Sequence, residues 1–375
     1  MKIDYIIPMV FDNDLKWRDS FRQCHWIKYD SNNNVTRWRS MGTEELLVRC
    51  IRAFMPFVGT IHILLARESQ KRPWMDNYGI HVVYHHEFIP PQYLPTFNSR
   101  TIEMFLHRIP GLQERFIYSN DDMFPVSPMQ ESDFFIEEGP CLYKQYMKLP
   151  KDFSQFAWVC KEETQLLAKL FGVDITEDTW ISLGHGVTPM LKSTYENVWD
   201  LFPANILGSI TRDRDWKNYN QYLFAYYQLF HGSAVETANN TSYADNTMPL
   251  ADVEKTIMNA KGIVCVNDAI KSNDFEKFTA VVSAAIEKRL QTYLEKTNYG
   301  KGTENNTAGD RCADATPVSD KQRRNGGDNT PHEEKIQDQV AEKRPVDKTD
   351  SPAPTQEKRG KGAKNNGKRR FRFDS

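Results

Sequence analysis

The chain lacks the cysteine patterns that mark zinc sites and disulfide frameworks. Six cysteines occur in 375 residues, and no two of them form a C-x-x-C pair. Their spacing matches no zinc site, and three of them stand in apolar surroundings, as small buried thiols do. Isolated thiols of this kind are typical of proteins kept in a reducing compartment. The sequence therefore predicts a cytoplasmic protein.

Long apolar runs and a strong net charge are also missing. No stretch approaches the roughly 20 apolar residues that a membrane-spanning helix needs. The N-terminal run MKIDYIIPMVFDND is interrupted by Asp4 and Pro8 and is too short for a signal peptide. The formal net charge is −2, so the protein as a whole does not have the character of a polyanion binder.

What the chain does have is material for a sizeable core, since 39% of its residues are hydrophobic and 12% aromatic. Short apolar runs alternate with helix-like patterns in its first part, which favours a mostly parallel sheet covered on both faces. The predicted strands lie at 3–10, 60–66, 80–86, 115–119 and 262–268. The predicted helices lie at 43–57, 98–111, 161–172, 192–203, 218–232 and 275–296. We expect an α/β, Rossmann-like fold with flanking helices.

The composition changes after about residue 298. Residues 298–375 are poor in leucine and aromatics and rich in polar residues and proline, so we expect a disordered tail after a catalytic domain at 1–297. The basic end, Lys358–Phe373, could tether the protein to an anionic membrane surface at the inner face of the membrane. The alternative is a solvated tail that aids solubility. Nucleic-acid binding is disfavoured because aromatics are not interleaved with the basic residues.

Three predicted strands end in clusters of carboxylates and amides. Ligands bind at the carboxyl ends of strands in open α/β sheets, and adjacent carboxylates there suit Mg²⁺ or Mn²⁺ held together with substrate phosphates. Turns with helix-capping aspartates are the alternative. The clusters are Phe11-Asp12-Asn13-Asp14, Asn120-Asp121-Asp122 and Asn267-Asp268. Within them we predict Asp121, Asp122 and Asp268 as metal ligands.

One long segment resembles a known family. The stretch IPPQYLPTFNSRTIEMFLHRIPGLQERFIYSNDDMFPVSPMQESDFF (89–135) resembles the second conserved region of the Stealth family of hexose-1-phosphate transferases. The start of that region resembles WRSMGTEELLVRCIRAFMPFVGTIHIL (38–64), where the family carries R-x-x-x-x-E-L followed by a helix and a strand. GHGVTPMLKSTYENVWDLFP (184–203) resembles the third region. Weaker likenesses are MVFDNDLKW (9–17), which lacks the family's glycine, and VCVNDAI (264–270).

The resemblance implies a reaction. A nucleotide-sugar donor, typically UDP-linked, would pass sugar-1-phosphate to a hydroxyl of an oligosaccharide or polysaccharide acceptor. The nucleoside monophosphate would leave and a phosphodiester would form, in capsule or exopolysaccharide synthesis. Two alternatives remain open from the residues. One is a hexosyltransferase that releases the nucleoside diphosphate, and the other is a non-catalytic scaffold.

The expected catalytic residues divide into a base, a carboxylate and cations. His185 stands between two glycines that let it approach a ligand, and it titrates near neutral pH as a general base must. Asp121 would act with the arginines Arg212 and Arg214, whose planar forks suit phosphate oxygens. Expected substrate contacts are Asp12, Asp14, Asn98, Arg100, Glu103, His107, Arg108, Asn120, Lys192 and Asn267. Structural alternatives are a satisfied side chain for His107 and an ion pair for Arg108.

Overall fold

The structure is a computed structural model that describes residues 2–25, 36, 38–269 and 274–297. These residues belong to one compact unit. The predicted disordered tail at 298–375, with its basic end, lies outside the described residues. Within them, no helix combines the length and the apolar character needed to cross a bilayer.

Thirteen strands occur in the described part of the chain. They are β1 (Ile3–Pro8), β2 (Val58–Leu65), β3 (Ile80–Tyr84), β4 (Arg115–Tyr118), β5 (Met123–Pro125), β6 (Phe135–Ile136), β7 (Gly139–Leu142), β8 (Gln145–Lys148), β9 (Thr179–Ser182), β10 (Thr188–Leu191), β11 (Val235–Glu236), β12 (Thr241–Asp245) and β13 (Ile263–Asn267). The helices are α1 (Leu15–His25), α2 (Glu44–Phe54), α3 (His85–Phe88), α4 (Ser99–Glu103), α5 (Gln155–Phe171), α6 (Lys192–Leu201), α7 (Pro203–Ser209), α8 (Tyr222–His231), α9 (Leu250–Asn259) and α10 (Phe275–Thr297).

The central sheet has five strands in the order β10-β4-β1-β2-β3. The four strands β1 to β4 are parallel, and β10 pairs with β4 in the antiparallel direction. The predicted α/β class with a mostly parallel sheet is therefore confirmed. Because β1 and β4 are parallel neighbours, the chain leaves both at the same edge of the sheet, which we call the carboxyl edge.

Both faces of the sheet are buried, as near-continuous apolar strands require. Tyr5 and Ile7 of β1 belong to a hydrophobic cluster that includes α2, α9 and α10. Ile6, whose side chain points to the other face, belongs to a second cluster that includes α5, α6 and α8. The two clusters fix the sheet between two layers of helices.

A second sheet, in the order β12-β13-β5, continues the chain beyond β4. Its strand β13 runs antiparallel to β5, with Cys265 opposite Met123. Val266 N donates a hydrogen bond of 2.8 Å to the main-chain oxygen of Asp122. This pairing brings the carboxyl end of β13 next to the carboxyl end of β4.

The predicted helix at 98–111 is shorter than the sequence pattern indicates. It consists of α4 and a separate 3₁₀ turn at Leu106–Arg108. Asn98 caps α4, since its side-chain oxygen accepts a hydrogen bond of 3.1 Å from Arg100 N. The structure also contains α1 and α9, which the sequence analysis does not predict.

Candidate active site

Asp121 and Asp122 follow β4 at the carboxyl edge and are half-buried. Asp122 Oδ2 accepts a weak hydrogen bond from Cys265 Sγ at 3.7 Å. Asp122 Oδ1 is buried and has no hydrogen-bond partner among the residues that the structure describes. A buried carboxylate oxygen without a donor is costly, so this oxygen is an open acceptor for a ligand.

The pKa values of Asp121 and Asp122 also indicate that their negative charges lack a compensating partner. Burial, followed by the neighbouring charges of Asp122 and Glu44, raises the pKa of Asp121 to about 8. Burial also raises the pKa of Asp122 to about 6, although hydrogen bonds to its carboxylate oppose the shift. The pair therefore holds its negative charge at neutral pH poorly unless a cation joins it.

The two aspartates fit a divalent cation as part of a larger ligand set. Mg²⁺ takes oxygen ligands and is commonly held by one or two carboxylates plus substrate phosphates. In the described ranges, no three His, Cys, Asp or Glu side chains form a group able to hold a metal ion. A cation here would thus depend on oxygens that the substrate supplies.

A polar chain joins the end of β1 to this pair. Asp12 Oδ1 accepts a hydrogen bond of 3.5 Å from Ser40 N, and Ser40 Oγ donates to Glu44 Oε1 at 2.5 Å. Glu44, 7% exposed in α2, is the carboxylate whose charge acts on Asp121. Two of the three predicted clusters therefore meet at the carboxyl edge, with Glu44 between them.

The third cluster is placed nearby, but its carboxylate already has partners. Asp268 accepts two hydrogen bonds from the Arg39 guanidinium, at 2.7 and 2.9 Å, and one of 2.7 Å from Asn246 Nδ2. The Arg39 guanidinium also lies 3.5 Å from the centroid of the Phe275 ring. In this arrangement Asp268 fixes Arg39, so a metal ion would have to compete with a bidentate ion pair for it.

His185 lies on a loop between β9 and β10, with its side chain exposed. Its ring contacts Tyr243 of β12, with 4.8 Å between centroids. Asn267 Nδ2 donates to the Tyr243 hydroxyl at 3.1 Å, and Tyr243 is paired in register with Cys265. His185 and Asn267 are therefore linked to the aspartate pair through one face of β12 and β13.

Although His185 is exposed at the surface, desolvation by the protein packed around its ring lowers the pKa of His185 below its usual value of 6.5. A lowered pKa keeps the imidazole neutral at pH 7, which is the state that accepts a proton. The two flanking glycines are needed for different reasons. A Cβ on Gly186 would lie 2.4 Å from Thr241 Oγ1, so a larger residue has no space there. Gly184 has a positive φ of 74°, which favours glycine.

Glu103 is connected by hydrogen bonds to the loop at residues 120–122, which we call the aspartate loop, and the charge of Arg100 acts on Glu103. Glu103 accepts hydrogen bonds from the Tyr118 hydroxyl at 3.2 Å and from Gln221 N at 2.9 Å. Tyr118 also donates to Asn120 Oδ1 at 3.2 Å, which ties Glu103 to the loop. Burial raises the pKa of Glu103, while Gln221 N and the positive charges of Arg214 and Arg100 oppose the rise.

The two candidate phosphate-binding arginines are placed differently. Arg214 Nη2 donates to Ser99 Oγ at 2.7 Å, at the start of α4, and its charge acts on Glu103. Both arginines are exposed, and the main-chain oxygen of Arg212 accepts hydrogen bonds from Phe97 N and Thr96 Oγ1. Arg214 is thus the one that the structure sets beside the buried polar residues.

Two predicted substrate contacts have structural partners instead. Asn98 is 1% exposed, and its amide donates to the 211–218 loop, including Asn218 Oδ1 at 2.9 Å and Asp213 O at 3.2 Å. Asp14 caps α1 through Lys16 N at 3.0 Å and accepts from Ser69 Oγ at 2.7 Å. Asp14 thus makes the contact that the helix-capping alternative describes, and Asn98 holds the 211–218 loop in place.

Three further predicted contacts lie away from the carboxyl edge. Lys192 N donates to Glu114 O at 2.8 Å, next to the first residue of β4. Burial, followed by the charges of Arg108 and Lys192, lowers the pKa of His107 to about 4, so these three side chains are near one another. Since β4 runs from Arg115 toward Asp121, the group lies at its amino end, and the structure does not bring it together with His185.

Sequence reasoning missed several residues that the structure places at the site. Arg39, Glu44, Tyr243 and Cys265 all contact or act electrostatically on predicted site residues. The spacing of Arg39 and Glu44 follows the family pattern R-x-x-x-x-E, which was a usable signal. Tyr243 had none, because its position depends on the pairing of β12 with β13.

With the geometry in place, the chain can be compared with known proteins. Residues 37–142 match Stealth protein CR2, conserved region 2. This match confirms the resemblance seen in the sequence, and it contains Arg39, Glu44, Arg100, Glu103 and the aspartate pair. The likeness is to a family of enzymes.

Three relatives of this chain are polysaccharide phosphotransferases by name. The capsular polysaccharide phosphotransferase fcs1 of Haemophilus influenzae is 28% identical over 72% of this chain and 79% of its own length. The receptor polysaccharide phosphotransferase WefC of Streptococcus gordonii is 28% identical over 77% of this chain and 97% of its own length. The capsular polysaccharide phosphotransferase LcbA of Neisseria meningitidis is 35% identical, over 37% of this chain and 39% of its own.

Among solved structures, the galactosyltransferase LgtC in complex with donor and acceptor sugar analogues is similar, with a TM-score of 0.34. It is 11% identical, and the match covers 75% of this chain and 96% of that chain.

Proposed function

We propose that this protein transfers sugar-1-phosphate from a nucleotide-diphosphate sugar to a hydroxyl of a saccharide, in capsule or exopolysaccharide synthesis. The observation that carries the proposal is that the family match and an unpartnered carboxylate oxygen occur at the same edge of the sheet. The Stealth conserved region 2 match spans the carboxyl edge of the sheet, and that edge holds a buried carboxylate oxygen with no partner in the described structure. The phosphotransferase names of the relatives set the reaction class.

Asp121 and Asp122 would hold a Mg²⁺ or Mn²⁺ ion together with the donor diphosphate. Such an ion neutralises charge that develops on the transferring phosphoryl group. The raised pKa values of both aspartates support this role, because a site built for a cation is electrostatically unbalanced without it. Asn120 would orient the loop through its contact with Tyr118.

His185 would remove the proton from the acceptor hydroxyl. The oxygen attacks the phosphorus bonded to the sugar, the bond from that phosphorus to the oxygen bridging the two phosphates breaks, and the nucleoside monophosphate leaves. The lowered pKa of His185 supports its role as the base. Arg214, with Arg100 behind it, would balance the phosphate charge, and its bond to Ser99 holds the guanidinium in position.

The released nucleotide tests the proposal. The purified full-length protein would be incubated with a panel of UDP-, GDP- and CMP-linked sugars, Mg²⁺ or Mn²⁺, and oligosaccharide acceptors. Sugar-phosphate transfer from a UDP- or GDP-sugar releases a nucleoside monophosphate, whereas hexosyl transfer releases a diphosphate. We expect UMP from a UDP-sugar. Release of UDP would establish the hexosyltransferase alternative, and release of no nucleotide with any donor would contradict both.

The basic end of the chain would also determine where the enzyme works. Capsule precursors are joined at the inner face of the membrane, so the basic end of the chain, Lys358–Phe373, would hold the enzyme there by attraction to anionic lipid. A tail that only aids solubility would not hold the enzyme at the membrane. Truncation of the tail should therefore weaken binding to anionic lipid only if the tail is a tether.

A further inference from the structure

Exposed aromatic side chains occur beside His185 and near the start of α5. Among the described residues six aromatic side chains are exposed; Phe156 and Tyr243 contact the His185 ring, and Phe153 and Trp216 contact each other. Soluble proteins rarely leave several large rings in water without a reason, and contiguous patches of this kind mark ligand or partner sites. The six are Tyr78, Tyr146, Phe153, Phe156, Trp216 and Tyr243.

Ring contacts connect four of these side chains in two groups, of which the first includes His185. Phe156 contacts His185 with 6.4 Å between ring centroids, and His185 contacts Tyr243 at 4.8 Å. Phe156 also contacts Trp180 of β9 at 6.4 Å. This group thus runs across the candidate base, with aromatic rings on both sides of it.

The second group lies just before α5. Phe153 precedes Phe156 by three residues and contacts the Trp216 ring edge-on at 6.1 Å. Trp216 is 51% exposed and Phe153 is 36% exposed. We call the rings of Trp216, Phe153, Phe156 and Tyr243, together with His185, the aromatic row.

We propose that the aromatic row binds the saccharide acceptor over several sugar units and leads its reacting hydroxyl to His185. This inference rests on the proposed function, because it places the acceptor of the same reaction. A sugar ring offers an apolar C–H face and a polar hydroxyl edge, and exposed aromatic rings flanked by polar groups match both. Two of its rings, Phe156 and Tyr243, contact the candidate base itself, as the reacting end of an acceptor path must.

The charges beside the row argue against a nucleic acid. Trp216 stands in the sequence Arg212-Asp213-Arg214-Asp215-Trp216-Lys217, in which two acidic residues offset two of the three basic ones. Polyanion binding needs an excess of basic residues along the path. Lys161, whose ammonium lies 4.7 Å from the Trp158 ring centroid, is paired with Glu162 at 2.7 Å. A neutral or weakly charged glycan suits this surface better.

Two variants and one matched control test the row. Trp216→Ala and Phe153→Ala remove exposed rings, so both variants should fold, which circular dichroism would check. Leu207→Ala removes a side chain of similar exposure, 46%, from α7. Binding of full-length protein to a printed array of bacterial capsular oligosaccharides, and to phosphatidylcholine vesicles with phosphatidylglycerol, would be measured for each protein.

We expect the wild type and Leu207→Ala to bind array glycans, and each ring variant to bind the same glycans at least about tenfold more weakly, which corresponds to roughly 1.4 kcal/mol. Equal binding by the ring variants, binding to vesicles in place of glycans, or no glycan binding by the wild type would overturn the proposal. Nucleotide release from UDP-sugars by the wild type is measured separately, so glycan binding without release would count against the proposed function and leave the aromatic row standing.

Discussion

Two carboxylate sites lie at opposite edges of the same central sheet, and their surroundings differ sharply. At the amino edge, Asp4 is 1% exposed and accepts hydrogen bonds from Thr60 N at 3.2 Å, Gln113 N at 3.0 Å and His62 Nε2 at 3.0 Å. At the carboxyl edge, Asp121 and Asp122 repel each other, and Asp122 Oδ1 has no partner in the described structure.

The pKa shifts of the two sites have opposite signs for this reason. Burial would raise the pKa of Asp4, but the hydrogen bonds from His62 and the two main-chain amides outweigh burial and lower it. No comparable donors offset burial at Asp121, whose pKa rises. A buried carboxylate with all its bonds made stabilises the fold, whereas one left unbalanced marks a place where something else binds.

The largest expected effect is at the carboxyl edge. Asp122→Asn and Asp121→Asn should each reduce nucleotide release by about 100-fold or more, because a neutral amide holds a divalent cation and phosphate charge poorly. Stability should be unchanged or higher, since like-charge repulsion is relieved. Steady-state release of nucleotide and urea unfolding would measure the two quantities. Full activity of either variant in the presence of chelator would refute the assignment.

His185→Ala should have the next largest effect on turnover. Loss of a general base costs about 10² to 10⁴-fold in rate, while donor affinity should survive, because the donor phosphates are held elsewhere. Donor binding by calorimetry and transfer under saturating donor separate the two. Were donor affinity to collapse and the saturated rate to stay normal, His185 would be a binding residue.

The same chemical change at the amino edge should give the opposite pattern. Asp4→Asn replaces one carboxylate oxygen with an NH₂ group that cannot accept the hydrogen bonds that Asp4 now accepts. The donors left without an acceptor should lower the free energy of unfolding by about 1–3 kcal/mol. Activity per folded molecule should stay at the wild-type level. Urea unfolding and active-site-normalised turnover would measure this, and an Asp4→Asn protein that is stable but inactive would undo the contrast between the edges.

How far the sequence alone predicts this contrast depends on the range of the interactions. The parallel strands and the carboxyl-edge position of Asp121 and Asp122 follow from local apolar patterns, and the structure confirms the sheet. The sequence analysis did not separate His107 and Lys192 from the site, because their position depends on the antiparallel pairing of β10 with β4. Tyr243 was missed for a similar reason, since short strands give weak patterns.

The pH dependence of stability sharpens the comparison further. Asp121 has a folded-state pKa of about 8 against an ordinary value of 3.8, so the folded protein binds more protons than the unfolded one between these values. Stability in chelator should therefore fall as pH rises from 3.8 to about 8. Asp4 acts in the other direction, because its lowered pKa gives stability that is lost as pH falls below its ordinary 3.8.

Melting temperatures in EDTA across this pH range would measure the effect, and Asp121→Asn is the matched control. In Asp121→Asn the fall of the melting temperature with rising pH should be much smaller than in the wild type. Added Mg²⁺ together with UDP should also flatten the curve for the wild type, because ligand binding favours the deprotonated pair. A wild-type curve that rises steadily with pH and coincides with that of Asp121→Asn would contradict the electrostatic account of the carboxyl edge.

The smallest effect on catalysis is expected from removing the C-terminal segment. Every residue assigned to either edge precedes Thr297, so truncation after that residue should change turnover on an oligosaccharide acceptor by no more than about twofold. The effects of Asp4→Asn and Asp122→Asn should persist in the shortened chain.

Binding of the truncated protein to vesicles with anionic lipid should be weaker than that of the full-length protein, by about 1 kcal/mol for each basic residue that lay near the surface. Added salt should weaken binding of the full-length protein in the same way. Equal vesicle binding by both proteins at low salt would favour the solvated-tail alternative, and a large loss of turnover on truncation would show that the segment contributes to the carboxyl-edge site.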